Sequence, residues 1–303
     1  MITIPPYLKK GDLVGITCPA GYMSTEKLQT CINSLEQWGY QVKLGATVGS
    51  SSTNYFSGTD AERAADFQAM LDDSEIKAIL CGRGGYGSSR IIDQLNWKQF
   101  KKQPKWIIGF SDITVFHSHL YSNYDVASIH GPMGAAFNNG GVDTPYVQSL
   151  RKLLSGKTPL IEVNAHSLNR NGFGEGPLVG GNLSLLVHLL STSSEIKTKG
   201  RILFLEDLDE QIYHVDRMML QLKRAGKLDK LAGLIIGGFS GMKDTERSFG
   251  KSAFETIADL VEEYKYPVCY DFPISHETAN YAVKHGANYS LHVTEQGTKL
   301  FES

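Results

Sequence analysis

The chain has 303 residues, of which 41% are hydrophobic and 20% are charged, and its formal net charge is -2. This length predicts one large or two medium globular domains, and the composition is ordinary for such proteins. Because the sequence has neither an excess of basic residues nor a long apolar run, we expect neither a nucleic-acid partner nor a membrane partner.

Four cysteines are scattered through the sequence, and no two of them form a C-x-x-C pair or a zinc-binding pattern. They stand at Cys18, Cys31, Cys81 and Cys269. The first ten residues contain no apolar segment of the kind found in signal peptides. We therefore expect reduced, buried thiols and a cytoplasmic location.

Short apolar segments alternate with segments of helical periodicity in the first half of the chain. Strands are predicted at 13–17, 40–44, 76–81 and 106–108, and helices at about 25–38 and 60–72. Strands that alternate with helices pair in parallel, and such sheets bind ligands at the carboxyl ends of their strands.

The composition changes after residue 138. We expect a loop at 138–141 and a helix at 144–154, and we predict that the Gly-, Asn-, Ser- and Pro-rich segment 156–176 is a linker. It would separate a first domain at 1–155 from a second domain at 177–303. In the second domain, strands are predicted at 201–205, 231–238, 268–271 and within 287–301, and helices at about 180–190, 213–222 and 251–264.

The segment Trp106–Thr114 is typical of a buried strand, a sharp turn at Gly109 and the start of a helix. A serine at such a turn, here Ser111, is exposed at the edge of the sheet, as a nucleophile must be. The alternative is that Ser111 or Asp112 only caps the helix, since the sequence differs from the G-x-S-x-G pattern.

The segment Gly82–Gly87 follows the third predicted strand and contains four glycines in six residues. Such a loop can bind phosphates, although its spacing matches neither the dinucleotide-binding nor the P-loop pattern. It can also present amide groups to a developing oxyanion, or it can be a tight turn with no further role. Because it precedes the segment of Ser111 at the next strand end, we expect the two loops to be neighbours.

Three histidines, His117, His119 and His130, raise the question of a metal site. Residues two apart on a helix face different directions, and no H-E-x-x-H pattern is present. We therefore predict no metal and no cofactor, and we expect His130 to anchor a buried turn.

Two further strand ends carry residues that suit hydrolytic chemistry. Glu206 is expected to be the first residue after a strand, within an acidic run that ends at Glu210, and His276 follows a proline at another strand end. The acidic run is also typical of a solvated face or a helix cap. With Ser111, these residues could supply a nucleophile, a base and an orienting acid, but chain order alone does not define a triad.

Six segments occur in an order that resembles the LD-carboxypeptidase family of serine peptidases, which includes muramoyl-tetrapeptide carboxypeptidases and microcin C self-immunity proteins. They are Gly82–Gly87, Gly109–Thr114, His130–Met133, Gly180–Leu185, Leu203–Asp207 and Val215–Met218. The resemblance implies an α/β protein with an N-terminal flavodoxin-like parallel-sheet domain and a smaller C-terminal β/α domain. It also implies a metal-free, often dimeric enzyme that releases D-alanine from murein tetrapeptides.

By position, the resemblance implies that Ser111 is the nucleophile, Glu206 the orienting acid and His276 the base. The backbone amides of Gly85 and Asp112 correspond to the oxyanion hole. The triad would then be divided between the two predicted domains. The candidates for binding the substrate are Arg83, Tyr86, Asn182 and Arg217, with Arg90 as a further candidate for its terminal carboxylate.

The chain departs from the family pattern around its histidine, where Ser275–Glu277 replaces the Gly-His-Gly often found there. His285 is therefore a second candidate for the base, although the strand-end position favours His276. Two other functions stay open. One is a microcin-immunity hydrolase of peptidyl-nucleotides, for which no clear aromatic platform near the motifs is evident, and the other is a non-catalytic binding module.

Overall fold

The computed structural model describes residues 2–138 and 140–303, and these residues form two compact units. The first unit comprises the chain up to Lys157 together with Tyr281–Lys284, and the second comprises Thr158–Asn280 and His285–Ser303. None of the helices in the described part of the chain has the length and apolar character of a membrane span. Asn139 lies outside the described residues, so the loop expected at 138–141 is seen only in part.

The first unit is an α/β layer structure. Its strands are β1 (Leu13–Thr17), β2 (Gln41–Leu44), β3 (Ile76–Cys81), β4 (Trp106–Gly109), β5 (Ser128–His130) and the start of β11 (Val283–His285). Its helices are α1 (Thr25–Gln37), α2 (Asp60–Asp72), α3 (Ser88–Ile91), α4 (Lys98–Lys102), α5 (Thr114–Tyr124) and α6 (Pro145–Leu154). Among the described residues, the sheet order is β11-β5-β4-β3-β1-β2, and β1 to β5 pair in parallel.

The order 2-1-3-4-5 of parallel strands is flavodoxin-like, which confirms the predicted fold class. The local signals also agree with the structure. Ser24 and Thr59 are the N-caps of α1 and α2, and Thr59 forms a reciprocal capping box with Glu62. The apolar face of α2, including Phe67 and Leu71, is buried as its helical periodicity predicts.

The second unit contains a mixed sheet. Its strands are β6 (Ile161–Asn164), β7 (Gly172–Asn182), β8 (Ile202–Leu208), β9 (Gly233–Ser240), β10 (Val268–Cys269), β12 (Asn288–Thr294) and β13 (Gly297–Glu302). Its helices are α7 (Leu183–His188), α8 (Ile212–Arg224) and α9 (Ala253–Leu260). In the described residues, the order is β10-β9-β8-β7-β12-β13-β6, in which β7 to β10 are parallel and the remaining pairings are antiparallel.

The segment expected to be a linker, 156–176, differs in the structure. Residues from Thr158 onwards belong to the second unit, and they include β6 and the first part of β7. The glycines that suggest a loop serve close packing instead. A Cβ atom on Gly174 would lie 2.1 Å from the Ala232 carbonyl oxygen, so the tight approach of these segments requires glycine.

Gly180 of β7 illustrates the same constraint and allows a test. Its φ is +145°, and a Cβ atom there would lie 1.9 Å from the carbonyl oxygen of Phe204 on β8. We expect Gly180→Ala to lower the free energy of unfolding by on the order of 3 kcal/mol, through strain and a displaced strand. Urea denaturation would measure this effect, with Glu175→Ala, an exposed change in the same strand, as the control. Equal stabilities of the two variants would contradict the packing argument.

Candidate active site

Ser111 lies at the turn that connects β4 to α5. Its φ is +62°, in the left-handed region that residues with a side chain rarely adopt. A 3-10 turn over Ser111–Ile113 leads into α5. A Cβ atom on Gly109 would lie 2.8 Å from the Ile113 side chain, so the turn is tight enough to require glycine there. A partly exposed serine on a strained strand-to-helix turn is the arrangement used by hydrolytic nucleophiles.

The alternative that Ser111 or Asp112 caps the helix is wrong. In the described residues, the N-cap of α5 is Ile113, and no side chain makes a capping hydrogen bond there. The 3-10 turn separates Ser111 from the first α-helical residue, so its side chain is not in the capping position. The Asp112 carboxylate instead accepts a hydrogen bond from the Ser88 amide, at 2.8 Å.

The glycine-rich loop 82–87 is the neighbour of Ser111, as the order of the strand ends predicts. A Cβ atom on Gly84 would lie 3.0 Å from Ser111 Cβ and 3.2 Å from its Oγ. Gly85 and Gly87 have φ values of +96° and +144°, so this backbone path requires glycine. The hydrogen bond from Ser88 to Asp112 joins the end of this loop to the serine turn.

One aromatic side chain lies beside the glycine-rich loop, and another belongs to it. The Tyr55 hydroxyl oxygen lies 2.6 Å from the position that a Cβ atom on Gly85 would take, and the Tyr55 and Tyr86 side chains are 53% and 47% exposed. Tyr55 was not identified from the sequence because it lies in an irregular loop after β2, without periodicity or a motif. The three tryptophans of the chain, in contrast, are buried.

The arginines proposed for carboxylate binding differ in their surroundings. Arg83 is exposed in the glycine-rich loop, and its Nη1 donates to the Tyr22 carbonyl oxygen at 2.9 Å. The guanidinium of Arg90 is engaged by both carboxylate oxygens of Asp60. Arg217 is exposed on α8.

Glu206 and His276 form a close pair in the second unit. His276 Nδ1 lies 2.5 Å from Glu206 Oε2. The Glu206 side chain is fully buried, because β8 continues to Leu208 and Glu206 lies within the strand rather than after it. The expectation of a solvated acid or a helix cap is therefore wrong for this residue. Sequence reasoning missed its burial, since the acidic run suggests the surface.

A glycine on β9 makes room for this pair. A Cβ atom on Gly237 would lie 2.1 Å from the Ile274 carbonyl oxygen and 3.2 Å from Glu206 Cβ. Glycine therefore lets the loop 272–276 pack onto the strand that lies beside Glu206. No signal in the sequence connects Gly237 to His276, which is distant along the chain.

The pair has a defined electrostatic character. Burial lowers the pKa of His276, but the hydrogen bond and charge of Glu206, with the charges of Asp207 and Asp209, outweigh burial and raise the pKa above its ordinary value. Burial and the Glu206 charge raise the pKa of Asp207 to about 7. A histidine whose cationic form is stabilised by a buried carboxylate can accept a proton during catalysis.

The second candidate for the base, His285, is fully buried and packs edge-on against the Phe204 ring at 6.3 Å between centroids. Glu206 contacts His276, whose side chain keeps 12% of its surface exposed. The geometry therefore favours His276 as the base.

Asn182 is 2% exposed and is the N-cap of α7, since its Oδ1 accepts from the Leu185 amide. Its Nδ2 donates to the Asp207 carboxylate at 2.8 Å. These contacts explain Asn182 as a residue that orders the end of β8, and its contact with substrate stays a prediction.

The histidines of the first unit are part of its interior. His117 Nδ1 lies 2.7 Å from Ser128 Oγ, and burial lowers the pKa of His117 to about 4. His130 is buried at the end of β5. Among residues 2–138 and 140–303, no three His, Cys, Asp or Glu side chains are grouped so as to hold a metal ion.

Comparisons with known proteins agree with the motifs. The profile of the LD-carboxypeptidase N-terminal domain matches residues 14–131, and that of the C-terminal domain matches residues 175–291. The chain is 37% identical to the probable murein peptide carboxypeptidase of Bacillus subtilis, over 96% of this chain and 92% of that protein. It is 26% identical to the microcin C7 self-immunity protein MccF of Escherichia coli, over 89% of this chain and 87% of that protein.

A solved structure is similar to this chain over nearly its whole length. The crystal structure of muramoyltetrapeptide carboxypeptidase from Oxalobacter formigenes has a TM-score of 0.87 and 27% sequence identity, covering 96% of this chain and 98% of that one. Both halves of the chain match the family, and the relatives extend over nearly its whole length. The chain therefore belongs to the LD-carboxypeptidase family.

Proposed function

We propose that this carboxypeptidase hydrolyses the L-to-D peptide bond that holds the terminal D-alanine of a murein tetrapeptide. The observation that carries the proposal is the strained, partly exposed Ser111 beside a glycine-rich loop. The buried Glu206–His276 pair supports it, because serine hydrolysis needs an oriented base. The names of the Bacillus subtilis and Oxalobacter formigenes relatives support this class of substrate.

The proposed reaction has two acyl-transfer steps. Ser111 Oγ attacks the scissile carbonyl carbon while His276 takes the hydroxyl proton, and the amides of Gly85 and Asp112 stabilise the oxyanion. The intermediate collapses, the carbon–nitrogen bond breaks, and His276 protonates the departing amine of D-alanine. A water molecule then gives a proton to His276 and attacks the acyl ester. The ester bond to Ser111 breaks, His276 returns the proton to Ser111 Oγ, and the shortened peptide is released.

Glu206 is proposed to orient the base. Its carboxylate engages His276 Nδ1, which assigns proton exchange to Nε2. Because Glu206 lies in a buried strand, its position relative to the 272–276 loop is well defined. The same carboxylate stabilises the imidazolium that forms in each step.

A carboxypeptidase must also bind the free carboxylate of its substrate. We propose Arg83 for this role, because it is exposed, lies in the same loop as Gly84 and is held at one nitrogen by the Tyr22 carbonyl. Tyr86 and Arg217, both exposed, are proposed as further substrate contacts.

We also propose a cytoplasmic location and a homodimeric state. All four cysteines are free and buried, which suits a reducing compartment. The dimer rests on the family resemblance alone, and light scattering coupled to size exclusion would test it.

A second candidate function is hydrolysis of an aminoacyl-sulfamoyl nucleoside, as in microcin immunity. The exposed rings of Tyr55 and Tyr86 beside the glycine-rich loop favour it, because they offer a stacking surface for a base. Side-by-side assays with disaccharide tetrapeptide and with glutamyl sulfamoyl adenosine would decide between the two. We expect at least tenfold higher kcat/KM for the tetrapeptide, and the reverse order would favour the second function.

The nucleophile can be tested directly. We expect Ser111→Ala to abolish release of D-alanine from disaccharide tetrapeptide while the protein stays folded, because the proposed acyl ester forms on the Ser111 hydroxyl. Mass spectrometry should show a fluorophosphonate adduct on Ser111 of the unmodified protein and none on the variant. Ser89→Ala, in the adjacent helix α3, is the matched control and should retain activity. Near-normal turnover by Ser111→Ala would refute the assignment.

The role of Glu206 predicts a change in pH dependence. The base must be neutral to accept a proton, and the raised pKa of His276 places the acidic limb of kcat/KM above pH 6.5. We expect Glu206→Gln to move this limb to lower pH, because burial lowers the pKa of His276 and only the smaller effects of Asp207 and Asp209 would then oppose it. We also expect kcat to fall about 10³-fold. Glu210→Gln, which removes a half-buried acid of the same run that pairs with His214 instead of His276, should change neither. A loss below tenfold with an unmoved limb would contradict the assignment.

The role of Arg83 predicts a change in specificity. We expect Arg83→Met to raise KM for the tetrapeptide by about 10- to 100-fold, the cost of a lost charged hydrogen bond. The discrimination between this substrate and its C-terminal amide should disappear, which steady-state kinetics on the two peptides would measure. Arg224→Met, a change of an exposed arginine on α8, is the control. If the variant still discriminates between the acid and the amide, a residue other than Arg83 binds the terminal carboxylate.

A further inference from the structure

Arg63 on α2 is a charged residue with no exposed surface. Its guanidinium donates to the carbonyl oxygens of Pro19 and Gly87, the latter at 3.1 Å, and to the Asp60 carboxylate. Its Nε donates to the Gly58 carbonyl oxygen at 3.3 Å. One side chain therefore joins the loop after β1, the start of α2 and the glycine-rich loop after β3.

A buried guanidinium is costly unless it is paired and hydrogen-bonded. Here Asp60 supplies the counter-charge, and the Phe56 ring lies 4.8 Å from the guanidinium carbon. The planar guanidinium group of arginine carries five N–H donors, so it can bind several acceptors in different directions at once. The contacts therefore use what arginine provides and lysine does not.

The first consequence concerns the peptide unit between Gly87 and Ser88, which is held at both ends. Its carbonyl oxygen accepts from Arg63 Nη1, and its amide donates to Asp112 Oδ2 at 2.8 Å. Since a peptide unit is planar, two such bonds fix its orientation. Arg63 and the residue that follows the nucleophile thus hold the same peptide from opposite sides.

The second consequence concerns the Gly85 amide. The Gly84 carbonyl oxygen accepts from the Gly21 amide at 3.0 Å. In a trans peptide the C=O and N–H groups point in opposite directions, so this bond directs the Gly85 N–H away from Gly21. Gly21 lies two residues after Pro19, whose carbonyl oxygen accepts from Arg63, and Gly84 lies in the loop whose Gly87 carbonyl also accepts from Arg63. Arg63 therefore anchors both segments that set the direction of this amide.

We propose that Arg63 is a positioning residue that sets the direction of the Gly85 amide and so increases the rate of acyl transfer without touching the substrate. This inference rests on the proposed function, in which that amide stabilises the oxyanion. An oxyanion donor acts only if it is aimed at the place where charge develops. A misdirected donor stabilises the transition state less, whereas binding of the substrate in its ground state stays almost unchanged.

The test compares Arg63→Met and Arg63→Lys with the unmodified protein. We expect kcat for disaccharide tetrapeptide to fall about 10- to 100-fold in both variants, with KM changed less than threefold. The affinity for a peptide boronic acid, which forms a tetrahedral adduct on serine, should fall in parallel with kcat. The affinity of D-alanine, the product that carries no atom of the scissile carbonyl, should be unchanged.

Lys105 provides a matched control. It is also a buried cation of the first unit, 3% exposed, and its Nζ donates to the carbonyl oxygens of Met70 and Asp73 near the end of α2. We expect Lys105→Met to lower the melting temperature, as Arg63→Met does, but to leave kcat and boronic-acid affinity unaltered.

Several outcomes would overturn the inference. They are unchanged kcat in the Arg63 variants, an equal loss of D-alanine and boronic-acid affinity, and the same kinetic loss in Lys105→Met. If Arg63→Met does not fold, Arg63→Lys, which keeps the charge but loses the planar guanidinium group, decides by the same criteria, and a failure of both to fold would assign Arg63 to stability alone. The unmodified protein is assayed in parallel, and its failure to release D-alanine would refute the proposed function rather than the role of Arg63.

Discussion

A hydrogen bond from the Ser88 amide to the Asp112 carboxylate joins the serine turn to the glycine-rich loop, the two segments of the first unit to which we assign the chemistry. One loop carries Ser111 in a strained conformation, and the other carries the glycines beside it. Parallel pairing of β3 and β4 places both loops at the carboxyl edge of the sheet, and the hydrogen bond then fixes how they meet.

Both units place charged groups where water does not reach. Arg63 is buried beneath the glycine-rich loop, and Glu206 is buried within β8. A buried charge lowers stability unless its partners are close and well directed, so each of these residues restricts its neighbours to one arrangement. For Arg63 the neighbours are loop carbonyls, and for Glu206 the neighbour is the imidazole of His276. These contacts define the directions of the donors and acceptors at both positions.

Glycine has a different function in each unit. In the glycine-rich loop, positive φ values at Gly85 and Gly87 permit a path that other residues would strain. In the second sheet, Gly180 and Gly237 have no side chain where another backbone passes within contact distance. The sequence shows the first use clearly, because glycines cluster after a strand. The second use is visible only when the facing backbone is known.

The sequence by itself determined the alternation of strands and helices in the first unit, the serine turn and the order of the family motifs. These features depend on short-range periodicity and on turn residues, and both can be read from neighbouring positions in the sequence. Tertiary structure alone decided that β6 and the first part of β7 pair into the second sheet, that Glu206 is buried against His276, and that Asp112 bonds to Ser88 instead of capping α5. These outcomes depend on which backbone or side chain lies opposite, and such partners are tens of residues away along the chain.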